Sequence, residues 1–177
     1  MGNINPACVS VELFQKEKYF VSPSVKTEIG YGLQWIDSTV MLETSCTDKE
    51  LGDEIIKAAT FASSFKANKM DIERIELERK GSNAYWTRFV GIKNWRSFAK
   101  KTEMVSLAFF SDCVRMNRYF QWKNLAFGPI SDGSIARFLG VTVTEELINK
   151  TKFVFPASIT PEEIGNAVKT LFAVTLN

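Results

Sequence analysis

The chain has 177 residues, 45% of them hydrophobic and 24% charged, with a net charge of +2. That length gives one domain enough buried apolar surface to need no metal or disulfide staple, and so small a charge excludes recognition of nucleic acid or an anionic membrane by a strong overall field. There is no histidine, which removes Ser-His-Asp and Cys-His nucleophilic catalysis and the usual zinc sites, leaving only carboxylate and lysine chemistry.

Cys8, Cys46 and Cys113 show no C-x-x-C spacing, so reduced thiols are expected, with Cys8 and Cys113 as small buried hydrophobes. The first residues, MGNINP, lack the basic and apolar regions of a secretory signal, and no apolar run approaches the length that spans a bilayer. The expected location is therefore cytoplasmic, with no membrane partner. Charge is unevenly spread. Residues 1–78 hold 8 basic and 13 acidic side chains, residues 79–124 hold 10 and 2, and residues 125–177 hold 4 and 5.

Val9, Val11 and Leu13 alternate with Ser10 and Glu12, the period of a strand. A second strand at Tyr19-Phe20-Val21 is expected to stop at Ser22-Pro23-Ser24, and Gly30-Tyr31-Gly32 reads as a loop. After a short strand at Val40-Met41-Leu42, Thr47 with Glu50 forms a capping box. Leu51, Ile55, Ala58, Ala59, Ala62 and Phe65 then follow at helical spacing. Met70 to Lys80 fits either strand or helix. Gly81-Ser82-Asn83 reads as a turn and Asn94 to Lys101 as a short helix. Val105 to Phe110 and Val114 to Trp122, parted by Ser111-Asp112, predict an antiparallel meander, with Met104 and Met116 as core filler. Gly128-Pro129 and Ser131-Asp132-Gly133 read as loops and Phe153-Val154-Phe155 as a strand. Thr160-Pro161-Glu162-Glu163 is a second capping box, with Ile164, Val168, Leu171 and Phe172 on one face of its helix.

The two capped helices belong to similar units. Val40 to Ile55 and Phe153 to Val168 place Ser, Thr, Glu and Gly at identical offsets, 113 residues apart: Ser45 and Ser158, Thr47 and Thr160, Glu50 and Glu163, Gly52 and Gly165. A glycine inside a helix costs about 1 kcal/mol relative to alanine, so its recurrence predicts close packing against a backbone. The expected fold is α+β: a single domain over residues 1–177, with a mixed or antiparallel β-sheet, helices packed on it, and two similar strand–loop–capped-helix units.

This doubled T-x-x-E-[LI]-G unit, with the early strand ending at Val21-Ser22-Pro23 and the loop at Gly30-Tyr31, resembles the immunity proteins of bacterial contact-dependent growth inhibition (CDI) systems. The resemblance implies a cytoplasmic protein that binds the C-terminal domain of one cognate toxin, often a nuclease, and neutralises it without a cofactor or catalytic residues of its own. It assigns no contact residues, because those vary with the toxin.

A nuclease toxin is basic where it grips phosphates, so carboxylates are the natural complement. The densest acidic stretch runs from Glu43 to Glu54. With Glu50 occupied by the cap, Asp48, Asp53 and Glu54 are the candidate toxin contacts. The competing explanation is that acids in a first helical turn are favoured by the dipole alone.

Two other constellations compete. Ile75 to Lys80, read as a strand ending in Glu78-x-Lys80 with Asp53 or Asp71 upstream, is the pattern by which metal-dependent nucleases hold Mg²⁺; the plainer reading is a solvated charged face. In residues 79–124, Trp86, Phe89, Trp95, Phe98, Tyr119, Phe120 and Trp122 interleave with Arg88, Lys93, Arg96, Arg115, Arg118 and Lys123. Stacking rings beside cations can bind single-stranded nucleic acid. Strand alternation, aromatics inward and cations outward, accounts for the same pattern and is preferred. Gly30-Tyr31-Gly32 lacks the Lys-Ser/Thr of a phosphate loop.

Overall fold

A computed structural model describes residues 6–27, 32–81, 95–123 and 126–176, with backbone alone at 32–33, 76–81 and 95. Its strands are β1 (Ala7–Phe14), β2 (Lys18–Thr27), β3 (Gly32–Gln34), β4 (Val40–Glu43), β5 (Lys66–Ala67), β6 (Thr102–Phe109), β7 (Cys113–Gln121), β8 (Phe127–Pro129) and β9 (Lys152–Pro156). The helices are α1 (Asp48–Ser64), α2 (Lys69–Gly81), α3 (Trp95–Ala99), α4 (Gly133–Leu139), α5 (Glu145–Thr151) and α6 (Pro161–Ala173).

The nine strands among the described residues share one sheet. Neighbours run β3-β2-β1-β6-β7-β8, with β4 and β5 also on β2 and β9 also on β7. Every pairing is antiparallel except the short β2–β5 contact. The β1–β6 pairing at the centre relates two halves by an approximate two-fold axis. β4 lies along Lys18–Val21 of β2 and β3 along Ser24–Lys26. In the same way β9 lies along Cys113–Asn117 of β7 and β8 along Tyr119–Gln121. The repeat seen in two capped units thus extends to whole halves, β1-β2-β3-β4-α1 and β6-β7-β8-β9-α6.

Both capping boxes form. Thr47 and Thr160 each accept from the backbone N–H of Glu50 and Glu163, whose carboxylates accept in return from the caps' own N–H groups. Helices α1 and α6 pack antiparallel on one face of the sheet, each glycine against the other helix's first turn. A Cβ on Gly52 would lie 1.7 Å from the Pro161 carbonyl oxygen, and one on Gly165 would lie 1.9 Å from that of Asp48. Beneath them the alternating side chains of the four central strands, Val9, Val11, Tyr19, Val21, Val105, Leu107, Val114 and Met116 among them, pack against Leu51, Ile55, Ile164, Val168 and Leu171. The opposite face carries a second cluster, in which Phe14 stacks on Phe98 at 5.2 Å and Phe20 meets Phe98 edge-on, beneath Ile72 and Ile75 of α2.

Several expectations are corrected. The second strand continues through Pro23, because its missing N–H falls between the stretch paired with β4 and the stretch paired with β3, and its carbonyl still accepts from Trp35 at 2.7 Å. Gly128-Pro129 is strand, while Gly32 begins β3; Glu28 to Tyr31 and Ser82-Asn83 lie outside the described residues. Asp132 is the N-cap of α4 rather than part of an extended loop. Met70 to Lys80, which fits either element in the sequence, is helix. Cys8 and Cys113 are half-buried, not core, because they sit near strand ends. Met116 is core filler, but Met104 is only partly covered.

Candidate functional site

The loop between β4 and α1 and the outer flank of α1 form a groove of about 530 Å³, lined by Glu43, Ser45, Cys46, Glu50, Asp53 and Glu54, with Lys57 at its end. The capping box fixes where α1 starts, and helical spacing then carries Asp53 and Glu54 onto the flank that faces Glu43. Asp48 lies apart from them. It turns toward α6, where its Oδ1 is 2.7 Å from Lys169 Nζ, and the same ammonium donates to the Cys46 carbonyl at 2.6 Å.

Each candidate acid already has a cation. Asp53 is 2.6 Å from Lys49, Glu54 is 2.5 Å from Lys57, and Glu43 is 3.6 Å from Lys18. The lysines of the Asp53 and Glu54 pairs are well exposed, and solvent and salt screen such pairs, so an incoming cation can displace them at low cost. Glu50 is committed to the cap: donation from the Thr47 backbone and hydroxyl holds its carboxyl below the ordinary range. Burial pushes the Cys46 thiol up, away from the range of a reactive thiolate, with the Lys169 ammonium opposing the shift.

The other two constellations come apart. Glu78 and Lys80 lie on α2, and a helix does not present them as a strand-borne E-x-K pair does; their side chains are outside those described. Asp71 is used locally, exchanging hydrogen bonds with Asn68 at 3.0 Å, and Asp53 is on α1. Among the described residues no group of three or more Cys, Asp or Glu side chains could hold a metal ion.

In the basic segment, Trp86, Arg88, Phe89 and Lys93 lie outside the described residues, as does the side chain of Trp95. The rule of aromatics inward and cations outward fails on β7. Arg118 points inward beside Phe120, is 5% exposed, pairs with Glu103, donates to the Met104 carbonyl and lies over the Phe120 and Phe172 rings. Tyr119 faces the other way. Arg115 does point outward, over the Phe110 ring at 4.6 Å. The strand pleat dictates this: Arg118 shares parity with Met116 and Phe120, so it goes where they go.

A second concavity, which sequence reasoning missed, lies on the α6 side of α1. It holds about 390 Å³ between Ile56, Ala59, Phe109, Val114, Ile159 and Ile164, with Thr60 and Ser63 also lining it. Its walls come from segments spread over most of the chain, so no local pattern could announce it.

No helix among the described residues is long and apolar enough to cross a membrane. Among curated proteins nothing matches the chain. Solved structures share its fold. A protein of unknown function from Neisseria meningitidis superposes with a TM-score of 0.67 at 13% identity, covering 98% of this chain and 97% of that one. A chain of a CdiA-CT/CdiI toxin and immunity complex from Yersinia pseudotuberculosis gives 0.66 at 11% identity, covering 96% and 97%. The family model for CdiI, CDI immunity protein, matches residues 10–175, a span that takes in both capped helices and nearly every strand of the sheet. The chain belongs to the CDI immunity protein family.

Proposed function

We propose that this protein binds the C-terminal domain of one cognate CDI toxin, a nuclease, in the cytoplasm, and blocks it by covering its phosphate-binding surface with the acidic groove. The observation that carries this reading is a contrast between the two halves of the molecule. At the positions equivalent to Glu43, Asp53 and Glu54, the second unit has Pro156, Asn166 and Ala167, and its strand, cap and helix form in the same way. The shared Thr, Glu and Gly are what the unit needs to fold; the three carboxylates are not. Carboxylates that the architecture does not require, gathered at a groove, suit a basic partner.

Inhibition by binding needs no chemistry from the immunity protein, and the purified protein is expected to leave DNA and RNA intact with Mg²⁺ or Mn²⁺. Cleavage lost in Glu78→Ala or Lys80→Ala would replace this reading with a nuclease. The direct test is toxin affinity for Asp53→Lys, Glu54→Lys and Asp48→Lys at low and moderate salt. Asp53→Lys and Glu54→Lys are expected to weaken binding about tenfold each, mainly through slower association that salt abolishes. Asp48→Lys also breaks the Lys169 pair, so its melting temperature is measured alongside. Parent-like affinity and association rates in all three would refute the acidic surface.

A further inference from the structure

The two-fold relation gives the fold two equivalent clefts, each between a helix flank and one end of the sheet, and they are filled by different side chains, one of them less completely. In the first cleft, the sheet row Leu42–Tyr19–Leu13–Glu103 lies under α6. The Tyr19 and Phe172 rings plug it, 5.8 Å apart and only 5% and 9% exposed. Lys169 closes the outer side through the Cys46 carbonyl and Asp48.

The equivalent row under α1 is Phe155–Val114–Phe109–Ala7. Here Val114 stands where the first cleft has Tyr19. On the helix, 113 residues earlier, Ala59 stands for Phe172 and Ile56 for Lys169. The Tyr19 and Phe172 rings are replaced by an isopropyl group and a methyl group, while Phe109 and Phe155 stand where the first cleft has Leu13 and Leu42; a groove of about 390 Å³ stays open beside them.

We propose that this groove is a socket for an aromatic side chain of the toxin domain, an assignment that rests on the immunity reading above. Three observations name the occupant. The molecule itself plugs the equivalent cleft with the Tyr19 and Phe172 rings, the second of them beneath Arg118. None of the described residues lining the groove is charged, which favours an uncharged apolar group and penalises a lysine or arginine that would lose its hydration without a partner. The size fits as well, since a cavity of about 150 Å³ already holds benzene, so this one admits a phenol or an indole. Buried Tyr and Trp anchors in such pockets commonly dominate protein interfaces. The socket and the acidic groove flank α1 on opposite sides, so the toxin domain would straddle that helix.

The test transplants the molecule's own plug. Ala59→Phe places a ring where Phe172 sits in the other half; Ser63→Trp covers the groove from its rim and serves if Ala59→Phe fails to fold. Indole and p-cresol are expected to shift the NMR signals of Ala59, Val114 and Ile164 in the parent and not in either variant. Both variants are expected to bind the toxin domain at least about 30-fold more weakly. Toxin affinity unchanged in a folded variant, with the parent binding toxin, would overturn the socket while leaving immunity intact. Isopentanol shifting the same signals as strongly as p-cresol would overturn the aromatic assignment. Self-association of the parent that Ala59→Phe abolishes would give the groove to a second copy instead. If the parent does not bind the toxin at all, the immunity reading itself fails and the socket's occupant with it.

Discussion

The reciprocal glycine contact between α1 and α6 makes a sharp prediction at Gly52→Ala. On an open helix this change would stabilise the protein by about 1 kcal/mol through helix propensity. Here the new Cβ meets backbone, with the Pro161 oxygen at 1.7 Å, the carbonyl carbon at 2.4 Å and the Cα at 2.9 Å. Backbone at a proline-led first helical turn cannot rotate aside, so the two helices must separate by roughly 1.5 Å to restore ordinary contact. A gap of even 0.5–1 Å already forfeits about a quarter to a half of the dispersion well of the facing atoms, and Leu51, Ile55, Ile164 and Val168 all face one another in that core. Overpacking of this kind costs about 1–3 kcal/mol and occasionally more. At the upper end of that range, and after the propensity gain, we expect a net loss of about 2 kcal/mol, or roughly 4–8 °C in Tm for a chain of this size. Thermal and urea melts measure it. Gly133→Ala is the internal control, since nothing lies within 4 Å of its Cβ, and that variant is expected to melt at or slightly above the parent temperature. Gly165→Ala should match Gly52→Ala, and the double variant should lose less than the sum, because the first change has already parted the helices. A Gly52→Ala variant melting at or above the parent temperature would refute the interlock.

Thr160→Ala removes the side-chain acceptor for the Glu163 N–H and is expected to cost about 1 kcal/mol in urea unfolding; no change in midpoint would mean the cap is redundant there. Glu103→Gln strips the counter-charge from Arg118, whose charged form burial disfavours, and with Glu103 itself partly exposed is expected to cost about 1–3 kcal/mol, more than Arg118→Met, which removes the buried charge altogether. The reverse ranking in denaturant melts would count against the buried pair. Glu50 and Glu163 have folded pKa values held below their ordinary 4.5 by donation from their caps. Their contribution to stability is therefore complete above that pH and is lost as pH falls through the lower folded values, because the unfolded chain takes up protons first. Acid titration of Glu50→Gln/Glu163→Gln should show a shallower fall in stability below pH 4.5 than the parent, and an unchanged slope would contradict the assignment.

Features that depend on a few neighbouring residues were legible before any coordinates. Both capping boxes, the extents of α1 and α6, the alternation of β1 and the β6–β7 meander follow from local hydrogen bonding and period, which act within one or two turns or strands. The repeat of Thr, Glu and Gly was legible for the same reason, and it pointed correctly to backbone contact at Gly52 and Gly165. The short helices α4 and α5 were not legible, since seven residues each make only two turns and establish no period. The region around Met70 to Lys80 has the amphipathicity of neither element clearly, and packing of Ile72 and Ile75 against Phe14 and Phe98 decided it as helix.

Among the candidate site residues, the chain itself put Asp48, Asp53 and Glu54 on one capped helix. Tertiary packing then separated them, sending Asp48 to Lys169 on α6 and leaving Asp53 and Glu54 in the groove with Glu43. Arg118 has the composition of a surface residue, and it is buried because the register of β7 places it under Phe172. The apolar socket needed still more. Ala7, Ile56, Phe109 and Ile159 are ordinary hydrophobic residues in their own segments, and each helps form a wall only when the two halves close about β1 and β6. Local chemistry chooses helix or strand through the nearest few bonds. An open space in a folded chain is chosen by whichever distant side chains are too short to fill it, and here those are Val114 and Ala59 where the other half has Tyr19 and Phe172.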